Sequence, residues 1–213
     1  MNDYAKGILT GVSLILCFFM FVSAKSQSKN LGDVTVNSIK LLDENGNPVA
    51  GLSATEYGGF FSIKNTDGNT VAGVGAYENG GTLGIYDNDG KSVAGLAAYE
   101  NHGTLSIYNT DGTMVSLLGA KGGGGSLFTY NADGKPTTLL GTAEGGDGIL
   151  NTFNADGKAT IHLGTSQEGF GFLKTFNKHE VMTGYFGTNT DNDGIAGLFD
   201  RYGDAGWGES GKK

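Results

Sequence analysis

Residues 81–96 read Gly-Thr-Leu-Gly-Ile-Tyr-Asp-Asn-Asp-Gly-Lys-Ser-Val-Ala-Gly-Leu. The middle tetrad, Asp87 to Gly90, suits a type I turn closed by a residue in the left-handed region. An Asp or Asn at its first position accepts hydrogen bonds from the turn backbone, and glycine takes positive φ without a Cβ penalty. Leu83-Gly-Ile-Tyr86 before it and Val93-Ala-Gly-Leu96 after it have the alternation of strands. The segment therefore predicts one β-hairpin.

The hairpin recurs. Tetrads ending at Gly46, Gly68, Gly90, Gly112, Gly134 and Gly157 continue through Glu180 to Gly203, with spacings of 22 and then 23 residues. A second column, Gly59, Gly81, Gly103, Gly125, Gly148, Gly171 and Gly194, has the same period. The extra residue enters between Gly141 and Gly148, which places it in a turn. Glu180 stands where the turn asks for glycine, so its turn is expected to be strained or differently built. The fold class predicted is all-β: an elongated array of antiparallel β-hairpin repeats of 22–23 residues, about fourteen short strands, preceded by one N-terminal hydrophobic helix.

If Tyr86 opposes Lys91, then Ile85 opposes Ser92 and Leu83 opposes Ala94. One face then carries Leu83, Ile85, Ala94, Leu96 and Ala98; the other carries Gly84, Tyr86, Lys91, Val93, Gly95 and Ala97. The first face is the better core. Its columns run Phe61, Leu83, Leu105, Leu127, Leu150, Leu173 and Leu52, Val74, Leu96, Leu118, Leu140, Leu163, Phe186 without a polar residue. After the N-terminal stretch no amphipathic helix exists to cover this face. The sheet must curl on itself or meet copies of itself, and a closed homo-oligomer, a trimer in the simplest case, is expected.

Glycine makes up 39 of 213 residues, against about 7 % in ordinary proteins, while proline is only 2, so the chain is not collagen-like. A net charge of -8 disfavours nucleic acid as a partner. The single cysteine, Cys17, can form no internal disulfide. Residues 7–24 carry no charge and read as a signal peptide or a membrane anchor, which places the remainder outside the membrane in the cell envelope or at the surface. Residues 25–38 form a linker and first strand, 39–203 the repeat domain, and 204–213 a C-terminal cap and tail containing Trp207.

The unit G-x-L-x-x-Y-N-x-D-G-K-x-x-x-x-L-G occurs as Gly125 to Gly141 and, with Phe153 for the tyrosine, as Gly148 to Gly164. It resembles repeats of N-terminally anchored bacterial proteins. The likeness runs from about residue 39 and implies an exported repeat protein with no particular activity. The unit is less similar to MORN repeats, also hairpins with paired glycines; their Tyr-Gly-Trp signature is missing, and pairs such as Leu140-Gly141 stand in its place.

Two groups have the pattern of a binding site. Asn189, Asp191 and Asp193, with Asp200 eleven residues after the first, have the oxygen spacing of an acidic calcium loop. They also occupy ordinary turn columns, and a polar turn is the competing reading. Tyr86, Tyr108, Tyr130, Phe153, Phe176 and Phe199 form an aromatic column opposite the leucines. Such a ladder either packs across strands or stacks on a glycan or a protein partner. His102, His162 and His179 have no shared metal-ligand spacing, and no catalytic constellation is found, so no enzyme activity and no cofactor beyond Ca2+ are expected. The expected function is an exported structural or adhesive β-repeat protein; the alternative is a glycan- or calcium-binding surface module.

Overall fold

The computed structural model describes residues 35–99, 102–121, 124–143 and 145–212, together with Tyr4, Val12 and Ile15. The expected hydrophobic helix and its signal or anchor role fall, apart from Val12 and Ile15, outside the described residues. Among the described residues no helix is long and apolar enough to cross a membrane. The chain divides into two units, Met1–Val36 and Asn37–Lys213.

The second unit is one open antiparallel sheet of 16 strands in chain order. The first eight are β1 (Ser38–Leu42), β2 (Pro48–Thr55), β3 (Gly58–Lys64), β4 (Thr70–Tyr77), β5 (Gly80–Tyr86), β6 (Ser92–Tyr99), β7 (His102–Tyr108) and β8 (Met114–Lys121). The rest are β9 (Gly124–Tyr130), β10 (Pro136–Thr142), β11 (Gly148–Phe153), β12 (Ala159–Thr165), β13 (Gly171–Phe176), β14 (Met182–Thr188), β15 (Gly194–Phe199) and β16 (Ala205–Ser210). The stretch expected as a cap thus supplies a sixteenth strand. At ~4.8 Å per strand the stack is about 72 Å long. The sheet is a single layer: no hydrophobic side chain is buried among the described residues.

The tetrads form the turns expected of them. In the β5–β6 turn, Gly90 N–H donates to Asp87 O (3.0 Å) and Asp87 N–H donates to Lys91 O (2.9 Å). The Asp87 carboxylate accepts from the backbone N–H groups of Asp89 (3.0 Å) and Lys91 (2.8 Å). Asn65, Asn109, Asn131, Asn154 and Asn177 repeat this pair of bonds. Asn65, Asn131 and Asn177 do more: each side-chain amide donates to a carbonyl of the next turn along the same edge, at 2.8, 3.2 and 3.0 Å. An Asp has no N–H for this bond. The turn at Glu180 is built like the others, and Glu180 sits at φ 63, a left-handed conformation that disfavours a side chain.

The pairing departs from expectation. Leu83 opposes Leu96, Ile85 opposes Ala94 and Tyr86 opposes Ser92, with a bulge between the last two pairs. The reason is that the turn is followed at once by a second bulge, at Val93, which alternation alone does not reveal. The two faces keep their leucines, but Val93 changes sides. At the corresponding bulge positions, the Thr137 and Thr160 hydroxyls lie 2.7 and 2.8 Å from those of Thr129 and Thr152, on the leucine face.

The opposite edge changes character along the chain. Thr55 to Gly58 and Tyr77 to Gly80 are closed by two-residue loops. From Ala143 to Asp147 onward, the loops are the longer turn used at the first edge. The extra residue of the period lies in that turn.

Glycine at the left-handed position is worth a measurable amount. Gly134 sits at φ 74, whereas Gly208 lies in β16 in ordinary extended backbone. Gly134→Val is expected to lower unfolding free energy by about 1–2 kcal/mol more than Gly208→Val. Glu180→Gly is expected to raise it by about 1 kcal/mol. Urea unfolding followed by far-ultraviolet circular dichroism reads all three.

Candidate functional site

The leucine face is the most extensive surface feature. Because every strand pair is in register, the two expected columns interleave into one row, one residue per strand. It runs Ile39, Leu52, Phe61, Val74, Leu83, Leu96, Leu105, Leu118, Leu127, Leu140, Leu150, Leu163, Leu173 and Phe186, and ends at Ala196 and Glu209. In the isolated chain the row lies open: Leu96, Leu118 and Leu140 are 51, 51 and 53 % exposed.

A parallel row beside it changes chemistry halfway. In β2 to β7 it alternates Ala50, Ile63, Ala72, Ile85, Ala94 and Ile107; it passes through Ser116 in β8, and in β9 to β13 it holds Thr129, Thr138, Thr152, Ile161 and Thr175. The threonine hydroxyls satisfy one another. Thr129 bonds both Thr137 (2.7 Å) and Thr138 (2.6 Å), and Thr152 bonds Thr160 (2.8 Å). A hydroxyl already bonded loses little when water is removed.

The other face covers itself. A Cβ added at Gly84 would fall 2.5 Å from the Tyr86 hydroxyl, and one at Gly73 or Gly75 2.7 or 2.6 Å from the Phe60 ring. These rings lie flat over neighbouring glycines and shield their backbone. The aromatic column is placed accordingly. Tyr86, Tyr108, Tyr130, Phe153, Phe176 and Phe199 are all half-buried. They stand on alternate strands, about 9.6 Å apart, too far for one ring to stack on the next. Tyr130 stacks instead on Phe128, centroids 6.0 Å apart, and burial pushes its hydroxyl pKa up.

The calcium pattern is divided between two edges. Asn189, Asp191 and Asp193 share the β14–β15 turn, where the Asn189 side-chain oxygen already accepts from Asp191 N–H (3.0 Å) and Asp193 N–H (2.9 Å). Asp200 lies at the far end of β15, in the opposite edge, and accepts from Tyr202 N–H (2.8 Å) and Asp204 N–H (3.0 Å). A strand of six residues separates the two turns, about 20 Å. The four residues do not converge on one ion. Among the described residues no group of three His, Cys, Asp or Glu side chains could hold a metal.

Two features were not evident in the sequence. Asn151, His162 and Lys174 sit side by side on β11, β12 and β13, because the register aligns them across the sheet. His162 meets the Phe172 ring edge-on (4.9 Å), and the Lys174 ammonium stands over the same ring (4.5 Å). The second is a stacked pair of exposed tyrosines, Tyr57 and Tyr77, at the second-turn edge. Tyr57 lies inside a two-residue loop, off the repeat's columns, so periodicity gives no signal for it. No protein-family model matches the chain, and no similar curated protein is found.

Burial, and after it the Lys174 charge, hold the His162 pKa below its ordinary value. The unfolded chain therefore binds a proton first as pH falls below about 6.5, and the folded state loses stability down to the lowered folded pKa. Above that window His162 contributes no slope. His162→Gln is expected to flatten the fall in urea midpoint between neutral pH and about pH 5. An unchanged profile in the variant would show that His162 is not its source.

Proposed function

We propose that this chain is an exported structural element, a β-sheet that assembles with further copies of itself through its leucine face. The observation that carries this reading is the row of fourteen large apolar residues from Ile39 to Phe186. A single sheet open to water on both sides has no reason to keep one face apolar over its whole length. The residues at the centre of the opposite face change freely, from Gly73, Gly84 and Gly95 through Leu117, Phe128 and Leu139 to Asn151, His162 and Lys174.

The dimensions fit a closed assembly. Strands of five to eight residues, all but β1 having six or more, make the sheet roughly 20–26 Å wide over most of its length. With a length of about 72 Å the face covers on the order of 1,500 Å2 per chain, in the range of obligate homo-oligomer interfaces. Three such sheets closed as a prism would each stand roughly 6–7 Å from the shared axis, compatible with ~10 Å face-to-face sheet spacing and one leucine per strand. A trimer is the favoured number. Glu209 places a charge at the end of the row, where open-ended growth of the apolar face stops. The uncharged stretch over residues 7–24 supports export and attachment to a membrane at the N-terminal end.

Two adjacent leucines test the reading. Leu140 is 53 % exposed in the isolated chain, so a charge there is cheap unless something covers it. Leu140→Asp is expected to turn the assembly into monomers, since an unpaired charge buried in an apolar interface costs several kcal/mol. Leu139→Asp, on the opposite face, is expected to lower thermal stability and leave the assembly intact. Sedimentation velocity at micromolar concentration distinguishes them. A wild-type chain that sediments as a folded monomer would refute the proposal.

A further inference from the structure

We infer that the second-turn edge of the first hairpins binds a neutral glycan through Tyr57 and Tyr77. The rings of these tyrosines lie nearly parallel, 13° apart with centroids at 6.3 Å. They are 46 and 58 % exposed, unlike the half-buried aromatic column. Together with Thr55, Glu56, Phe60 and Ala76 they line a cleft of about 390 Å3. A second cleft of about 300 Å3 adjoins it, lined among others by Tyr77, Glu78, Asn79 and Tyr86. Tyr77 belongs to both, so the clefts form two neighbouring subsites with one shared wall.

The chemistry of the walls selects the ligand. Small-molecule sites of this volume combine aromatic surface with a few polar groups that fix orientation. Exposed, parallel tyrosine rings offer flat apolar surface to the axial C–H face of a pyranose. Glu56 and Glu78 accept hydrogen bonds from sugar hydroxyls, and the Asn79 amide both donates and accepts. Neither cleft is lined by a lysine or arginine. Two carboxylates without a cation repel phosphate, sulfate and uronate groups, which excludes nucleic acid and acidic polysaccharides. The Glu56-Tyr57 loop of the first cleft and the Glu78-Asn79 loop of the second lie one hairpin apart, a step of two strands or about 9.6 Å, so a linear chain of sugars running along the edge meets the subsites in succession. Phe60 and Tyr77 stand on the face opposite the leucines and Ala76 on the leucine face, so the two rings stay open when the leucine face is covered.

Cellohexaose, chitohexaose and laminarihexaose, with a polygalacturonate hexamer as the acidic contrast, are the probes. Each is titrated calorimetrically into the full-length chain held in a sugar-free detergent. At least one neutral hexasaccharide is expected to bind saturably with a Kd at or below about 1 mM. Tyr77→Ala is expected to weaken it about tenfold or more, and Tyr77→Phe to leave it within about threefold, because stacking needs the ring and not the hydroxyl. Tyr57→Ala, in an exposed two-residue loop, repeats the test should Tyr77→Ala lose its circular dichroism spectrum. The proposal is overturned if no neutral probe binds at about 10 mM, if both alanine variants bind as the wild type does, or if the acidic probe binds more tightly.

Discussion

Hydrogen bonding of each strand to its chain neighbours is the constraint on which everything else here depends. A single layer has no interior to choose a register by burial, so the turns choose it. The Asn or Asp oxygen that accepts two backbone N–H groups fixes the turn, and the turn fixes which residues face each other. Were the β5–β6 register to slip by one residue, Leu83 would face a residue of the opposite face, and the leucine row would break at that strand. Bulge and turn together bring Leu83 opposite Leu96. The same geometry recurs from Ile39 opposite Leu52 to Leu173 opposite Phe186, which is why one row forms rather than a patchwork.

The glycines and the aromatic rings of the outer face solve a single problem. A strand rich in glycine leaves its backbone hydrogen bonds open to water and competes poorly for order. Phe60 lies over Gly73 and Gly75, Tyr86 over Gly84, and the Tyr185 hydroxyl over Gly187, so each ring restores part of the missing cover. Gly73 and Gly164 on this face are in fact buried. The side chains of this face lie along the sheet, while those of the leucine face stand away from it. The first arrangement is complete within one chain, and the second leaves Leu96, Leu118 and Leu140 half exposed.

The sequence discloses those parts of the structure that repeat. Eight tetrads on one period report the turn chemistry, and the absence of polar residues at Leu83, Leu96 and their counterparts reports the face. What escapes is what repetition does not constrain. The bulge at Val93 leaves no mark, because valine suits a bulge and a regular strand equally, and only the hydroxyl contacts of Thr137 and Thr160 show which side it takes. Asp200 fits a calcium spacing in sequence, yet the intervening β15 runs the full width of the sheet, and sequence distance along an extended strand becomes spatial distance. Asn151, His162 and Lys174 lie 11 and 12 residues apart in sequence and become neighbours only through register.

Because one chain contains many versions of the same hairpin, its own repeats show which positions are free. Midway, the second-edge loops lengthen, the Ala and Ile beside the leucines give way to threonine, and the outer face passes from glycine to large residues and then to polar ones. The leucine row crosses this change without altering in kind. Beside it, on the first-edge side of β9 to β12, threonine hydroxyls pair with one another, as at Thr152 and Thr160. The paired hydroxyls and the unbroken leucines lie on one face, and the assembly proposed through that face would remove both from water at little cost, because the hydroxyls already have partners.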